Sequence, residues 1–234
     1  MTRVAIMQPT YLPWSGYFGL MQSVDVFVLL DSVQFARRSW QQRNQIKTAN
    51  GAQWLSVPVQ SKGKRDQLIC EVELDKSSGF AATHRRSIEM SYAKTPHFKQ
   101  FADTLLPLLD NSSPLLADLT IGLILQLKAR LGITTRVLRS SELDVSGAKA
   151  DLLASLCKQL DATTYVSPPG SKEYLDESDA FAKIGISLQY FEFKHPEYLQ
   201  PFGDFLPNMS IIDMLFNCGE QSSVLIQGAS EVMQ

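Results

Sequence analysis

Val4-Ala5-Ile6-Met7-Gln8-Pro9-Thr10-Tyr11-Leu12-Pro13-Trp14-Ser15-Gly16-Tyr17, followed by a second apolar run at Val26-Phe27-Val28-Leu29-Leu30-Asp31, is the stretch that decides the fold. It reads as a strand, a polar turn rich in proline and aromatics, a short helix over Gly19 to Ser23, and a second strand closed by a carboxylate. Ligands of parallel α/β sheets bind just outside the carboxyl ends of the strands, and both the turn and Asp31 fall at such ends. Pro9 and Pro13 fix φ and stiffen the turn. Gly16 allows a close approach to the backbone, and the helix start offers free N–H groups to an anion. Gln8 can both donate and accept. Tyr11, Trp14 and Tyr17 offer faces to a base or a sugar. A stiffened turn whose aromatics fill the core would use the same residues.

Beyond Asp31 the chain runs through a segment that is polar, aromatic and basic at once, holding Gln34, Arg37, Arg38, Trp40, Arg43 and Asn44. Arginine suits bidentate contact with phosphate or carboxylate. Asp31 could hold a ribose hydroxyl, a metal ion or an amine; a solvated basic loop with Asp31 capping a turn is the plainer alternative. Asn50-Gly51 predicts a hairpin turn, with a strand at Trp54 to Val59 whose Pro58 marks an edge or an end. Gln67 to Leu74 alternates like another strand. Helices are predicted at Phe80 to Ala93 and Phe98 to Leu109, separated at Thr95-Pro96. A third runs from Pro114 to Leu131, capped by Ser112 or Ser113 and ended by Gly132. Strands at Thr134 to Leu138, Thr163 to Val166 and Ile186 to Phe193 then alternate with helices at Lys149 to Leu160 and Asp179 to Ile184. A last apolar helix covers Ile211 to Phe216. This order predicts an α/β fold, a mostly parallel sheet with helices on both faces. One domain over 1–234 carries a mainly helical middle at about 77–131, either a subdomain or an insertion.

Composition narrows the function classes. The 234 residues are 44% hydrophobic and 20% charged, with a net charge of -2. That balance gives no whole-chain polycation for nucleic acid. No apolar run reaches the ~20 residues a membrane span needs. The N-terminus enters a strand pattern directly, without a signal peptide, so a cytoplasmic location is expected. Cys70, Cys157 and Cys218 have no metal-ligand spacing, and no metal site is expected. No zinc-hydrolase, nucleophile-elbow, Walker or Gly-x-Gly-x-x-Gly pattern occurs, and the sequence leaves the cofactor, ATP included, open. Of three histidines, His84 is the candidate general base; a structural role on its helix is the alternative. The strand ends Arg139-Ser140-Ser141 and Ser167-Pro168-Pro169-Gly170-Ser171 suit phosphate or carboxylate contact, or serve as ordinary turns and caps. Asp213 and Asn217 share a helix face, which could complete a site or meet solvent.

These residues together resemble the WbqC-like protein family. The resemblance runs through Gln8 to Phe18, Asp31-Ser32-Val33-Gln34-Phe35, Arg38 to Asn44 and Trp54 to Val59. It resumes at Arg139-Ser140-Ser141, Tyr174-Leu175 and Ile212 to Asn217. Gln41 and Gln42 read as variable positions within it. The resemblance implies a role in bacterial O-antigen or other surface-polysaccharide biosynthesis. It points to a transferase or ligase acting on a nucleotide-linked amino sugar, with aminoacyl transfer as one form. The alternative is a non-catalytic glycan- or nucleotide-binding component of the assembly system. In the enzyme reading Tyr11, Trp14 and Tyr17 hold the sugar or base, and Arg38 and Arg43 bind the diphosphate or an acyl carboxylate. Asp31 orients a hydroxyl or amine, and His84 is the base. The expected partner is a nucleotide-linked sugar or another phosphorylated small molecule. A weaker likeness links the first strand-turn-helix-strand unit to the Rossmann-like fold of HIGH-type nucleotidyltransferases. Of their His-x-Gly-His turn only Gly16 is kept, in Trp14-Ser15-Gly16-Tyr17, so that likeness implies the fold and not adenylyl transfer.

Overall fold

Two apolar strands form the centre of the sheet, β1 (Arg3–Met7) and β2 (Val26–Leu29), joined by α1 (Ser15–Gln22). In the computed structural model, which describes residues 1–110 and 113–233, they pair in parallel with Val4 opposite Val26 and Met7 opposite Leu29. Their runs are continuously apolar because both faces are covered. Ala5, Phe27 and Leu29 enter one core, whereas Val4, Ile6, Val26 and Val28 enter the other. That division is the period of two that a strand imposes.

From β2 the chain leaves the sheet. It forms a hairpin of β3 (Arg43–Thr48) and β4 (Gly51–Ser56), then the helices α2 (Phe80–Tyr92), α3 (Phe98–Leu105) and α4 (Leu116–Arg130). It re-enters at β5 (Arg136–Arg139), passes through α5 (Lys149–Gln159) to β6 (Thr164–Ser167), and then through α6 (Lys172–Asp176) and α7 (Ala180–Lys183) to β7 (Ser187–Phe193). Finally α8 (Ile211–Cys218) and α9 (Gln221–Gly228) lead to β8 (Ser230–Met233). The order across the sheet is β5-β2-β1-β6-β7-β8. Every pairing is parallel except that of β8 with β7. This is the mostly parallel, Rossmann-like sheet the sequence predicts, with helices on both faces. Side chains of α1, α8, α9 and α2 to α4 share the first core, and those of α5 to α7 the second. The strand order reverses between β1 and β6, so the chain connections diverge there.

Several local expectations are corrected. Helix α1 begins at Ser15, directly after Trp14, rather than at Gly19. The predicted strand over Gln67 to Leu74 is instead a 3-10 turn at Ile69–Glu71. Its neighbours make single bridges to three separate partners, Gln34 with Leu68, Val59 with Leu74 and Glu73 with Leu115, so no ladder can propagate. The second hairpin strand stops at Ser56, before Pro58. Helix α4 begins two residues past Pro114. Ser113 Oγ accepts from the Leu115 N–H and donates to Asp118 Oδ2 at 2.6 Å; Ser112 lies outside the described residues. Gly132, with φ of +66°, takes the left-handed conformation that stops α4.

Candidate functional site

The carboxyl ends of β2 and β5 are stitched together by charge. Asp31 is fully buried. Its carboxylate accepts from Arg139 Nε at 2.8 Å, Ser141 N–H at 2.9 Å, Ser141 Oγ at 2.9 Å and Ser140 Oγ at 3.2 Å. Ser140 Oγ in turn accepts from the backbone N–H groups of Asp31 and Ser32. Arg139 also reaches Asp118 at 3.1 Å. Each Asp31 oxygen already accepts two hydrogen bonds, so it has little left for a substrate hydroxyl, an amine or a metal. Asp31, Arg139 and Ser140 are therefore a frame joining two strands. The Cys70 thiol nearby is pushed up by burial and by the Asp31 charge, which disfavours its thiolate.

The opening turn is also largely interior. Tyr11 and Tyr17 are buried. The Tyr11 hydroxyl meets His84 Nδ1 at 2.8 Å, and the Tyr17 hydroxyl donates to the Gln8 carbonyl at 3.3 Å. Burial holds His84 down at about 4, and the ring also hydrogen-bonds the Ser56 backbone. His84 is thus a neutral strut between turn, helix α2 and hairpin, rather than an accessible base. Trp14 packs edge-on against Phe193 and stacks on His195. Its indole lies over Gly16, where a Cβ would come within 2.2 Å of the ring. The space Gly16 leaves is filled by Trp14, not by a ligand. Ser15 Oγ meets His195 Nε2, and the Pro13 carbonyl accepts from Ile211 N–H at 2.7 Å. The start of α1 is therefore covered by the C-terminal segment.

Asp213 and Asn217 belong to a second buried network. Asp213 accepts from the hydroxyls of Tyr92 at 2.7 Å and Tyr198 at 2.8 Å, and from Gln200 Nε2 at 2.9 Å. Asn217 Nδ2 donates to the Asp213 carbonyl at 2.8 Å. Burial pushes the Asp213 carboxyl up; these hydrogen bonds and the Lys47 charge pull the other way. Lys47, itself buried, donates its ammonium to the carbonyls of Gly203 and Asp204. Asn44 is buried and clamps the Leu12 carbonyl at 2.6 Å. Gln34 donates to the Arg65 carbonyl on the far side of its loop. Arg38 is exposed with φ of +57° and is tied through its N–H to Gln42.

Gln8 and Trp40 are the two predicted residues that the fold brings into one cavity. It opens at the reversal point, between the carboxyl ends of β1, β2 and β6, with a volume of about 300 Å³. Ile6, Met7 and Leu30 line it from the strand ends, with Leu153, Tyr165, Pro168, Tyr174 and Trp40 around them; Gln8, Thr10, Ser39, Gln41 and Ser171 supply polar groups. The polar part is oriented. Ala36 N–H donates to Gln41 Oε1 at 2.9 Å, which turns Gln41 Nε2 onto Gln8 Oε1 at 2.8 Å. The Gln8 amide is then left presenting its N–H groups, with no acceptor among the described residues. The Trp40 carbonyl accepts from Tyr11 N–H at 3.0 Å, tying the rim to the opening turn. No charged side chain lines the crevice among the described residues. Aromatic faces beside amide and hydroxyl groups suit a neutral, hydroxylated ligand.

Sequence reasoning singled out Pro168 and Ser171 as part of a strand end, but read Gln41 as variable and gave Ser39 no role of its own. Gln41 could be found only once the loop was known to fold back on Gln8. A larger cavity, about 840 Å³, lies at the opposite, amino ends of β1, β5 and β6. The hydroxyls of Ser23, Thr135, Ser223 and Ser230 there already donate to backbone carbonyls, and the carboxyl ends remain the place where this fold binds ligands.

The model of the WbqC-like protein family matches residues 8–224, and the chain belongs to that family. It is 39% identical to the uncharacterized protein Rv1507c of Mycobacterium tuberculosis over 224 residues, which cover 95% of this chain and 96% of that one. No solved structure matches it. Among the described residues no helix is long and apolar enough to cross a membrane, and no group of histidine, cysteine and carboxylate side chains could hold a metal ion.

Proposed function

We propose that this WbqC-like chain acts in bacterial surface-polysaccharide synthesis by holding the sugar of a nucleotide-linked amino sugar in the crevice between β1 and β6, as a transferase or ligase. The observation that carries this reading is the Gln41-oriented Gln8 amide, its N–H groups left over beside the Trp40 and Tyr174 rings. Amide donors beside an aromatic wall suit the hydroxyl and acetamido groups and the C–H face of a sugar. Asp31 and His84 are positioning residues here: one ties β2 to β5, the other braces the turn that carries Gln8. The crevice contributes orientation, which alone lowers a bimolecular barrier substantially.

A second reading has its own support. Because no titratable carboxylate, imidazole or amine lines the crevice among the described residues, the same pocket fits a non-catalytic sugar-binding component of the assembly system.

A thermal-shift panel of nucleotide-linked amino sugars, free amino sugars and plain nucleotides tests the reading, since a ligand of the folded state raises Tm by mass action. A sugar-containing ligand should raise the wild-type Tm and leave Gln8→Ala and Tyr174→Ala unmoved. Mass spectrometry after incubation with amino acid and ATP, and separately with pre-activated acyl donors, then separates the two readings: a modified sugar in either means an enzyme, an unchanged sugar in both means a binder. If no sugar-containing ligand shifts Tm, the crevice is not a sugar site.

A further inference from the structure

A nucleotide-linked sugar carries a diphosphate, yet no cation lines the crevice among the described residues, and the start of α1 is closed by Trp14, His195 and the turn at Ser210. The anionic half of such a ligand needs another place. Trp40 has two sides in this respect. It lines the crevice, and it also meets Trp54 of β4 with ring centroids 5.2 Å apart at 42°. Both indoles are about half open, Trp40 at 50% and Trp54 at 40% of full exposure. Two adjoining open tryptophans are a costly surface for a chain to keep without a partner. Arg43 of β3 lies over the Trp54 member of this pair, with its guanidinium carbon 4.2 Å from that ring centre. Stacking of this kind holds the guanidinium plane in place while its N–H edge stays open. No carboxylate or carbonyl hydrogen-bonds that guanidinium among the described residues. A fixed planar fork with unused donors is matched to an oxyanion.

We propose that Trp40, Trp54 and Arg43 form a shelf at the mouth of the crevice that takes a nucleoside diphosphate, the base on the indoles and a phosphate on Arg43. This deepens the sugar-site reading and rests on it for the placement of the sugar, but the shelf binds the nucleotide by its own groups. It also shifts the stacking role from Tyr11 and Tyr17, which are interior, to the hairpin and its facing loop.

Intrinsic fluorescence tests the shelf. The chain has three tryptophans, and Trp54→Phe removes one shelf indole while leaving Trp14 and the crevice lining in place. Nucleoside diphosphate, inorganic phosphate, glucuronate and a free amino sugar are titrated separately into the whole protein at several salt concentrations. The diphosphate should quench the wild type in a salt-dependent way. Arg43→Ala should weaken it at least tenfold and flatten the salt dependence, Arg43→Lys should recover only part, and Trp54→Phe should reduce both quench and affinity. Inorganic phosphate should bind far more weakly than the nucleotide, because it lacks the stacking group. Absence of diphosphate quenching, or an Arg43→Ala affinity equal to wild type, overturns the proposal, as does glucuronate binding as tightly as the nucleotide. The free-sugar Tm shift reports on the crevice alone. A sugar shift without nucleotide binding refutes the shelf and spares the crevice; nucleotide binding without a sugar shift does the reverse.

Discussion

The carboxyl ends of β2 and β5 and those of β1 and β6 are neighbours in one sheet, yet one pair is tied shut and the other is left open. At β2 and β5 the buried carboxylate of Asp31 gathers Arg139, Ser140 and Ser141, and its oxygens are engaged. At β1 and β6 the connections diverge, and the gap is lined by apolar, aromatic, amide and hydroxyl groups, with no charged side chain among the described residues. The difference teaches that the buried charges of this chain hold the frame, whereas the cavity that the frame keeps open is lined by uncharged side chains among the described residues. Low-dielectric burial makes an unpaired charge expensive, so Asp31, Lys47 and Asp213 are each surrounded by partners, and partners leave little capacity for a ligand.

The largest test of that division is to remove a framing charge. Asp213→Ala takes the acceptor from the Tyr92 and Tyr198 hydroxyls and Gln200, and removes the charge facing the buried Lys47 ammonium; it should cost about 3–5 kcal/mol in a urea unfolding experiment. Asp31→Ala should cost about 3 kcal/mol, the lower end of the same range, because Arg139 is partly solvated and keeps Asp118. A loss below about 1 kcal/mol for Asp31→Ala would remove it from the frame and return it to the list of candidate catalysts.

Acid sharpens the comparison next. His84 is held at about 4 by burial against an ordinary 6.5, so the unfolded chain takes up a proton that the folded chain refuses. Stability is full above pH 6.5 and falls as pH drops towards 4, by up to about 3 kcal/mol. The raised Asp213 carboxyl acts with the opposite sign, losing stability as pH rises through its folded value. His195 is lowered from 6.5 by burial as well, so His84→Gln should remove the His84 share of the loss between pH 6.5 and 4 and leave the His195 share. Gly16→Ala comes third: its methyl would meet the Trp14 ring, and displacing the indole should cost about 1–3 kcal/mol with a shift in tryptophan emission. The smallest stability effect belongs to the open end. Gln8→Ala, exposed and bonded through its side chain to Gln41 alone among the described residues, should change stability by about 0.5 kcal/mol or less, while removing the sugar-dependent Tm shift.

The sheet was legible because its strands are short apolar runs bounded by turn residues, and β1, β2, β5, β6 and β7 all fall within a residue or two of where the sequence predicts them. Strand β8 was not, since Ser230-Glu231-Val232-Met233 alternates as an exposed edge over only four residues. The site was harder for a physical reason. Arginine, aspartate and histidine carry visible chemistry in a sequence, but whether Asp31 faces Arg139 or a cavity depends on pairing across 108 positions. Gln41, by contrast, carries no chemical signal until the loop folds back on Gln8. Trp40 was visible as an unexplained aromatic among basic residues, and Gln8 as the first polar residue after a buried strand.

The central claim is that the neutral crevice at β1 and β6, not the charged end at β2 and β5, receives the ligand. Crystals soaked with a nucleotide-linked amino sugar test it most directly. Sugar density against Gln8, Trp40 and Tyr174 is the result predicted here; density at Asp31, Cys70 and Arg139, with the crevice empty, would contradict it.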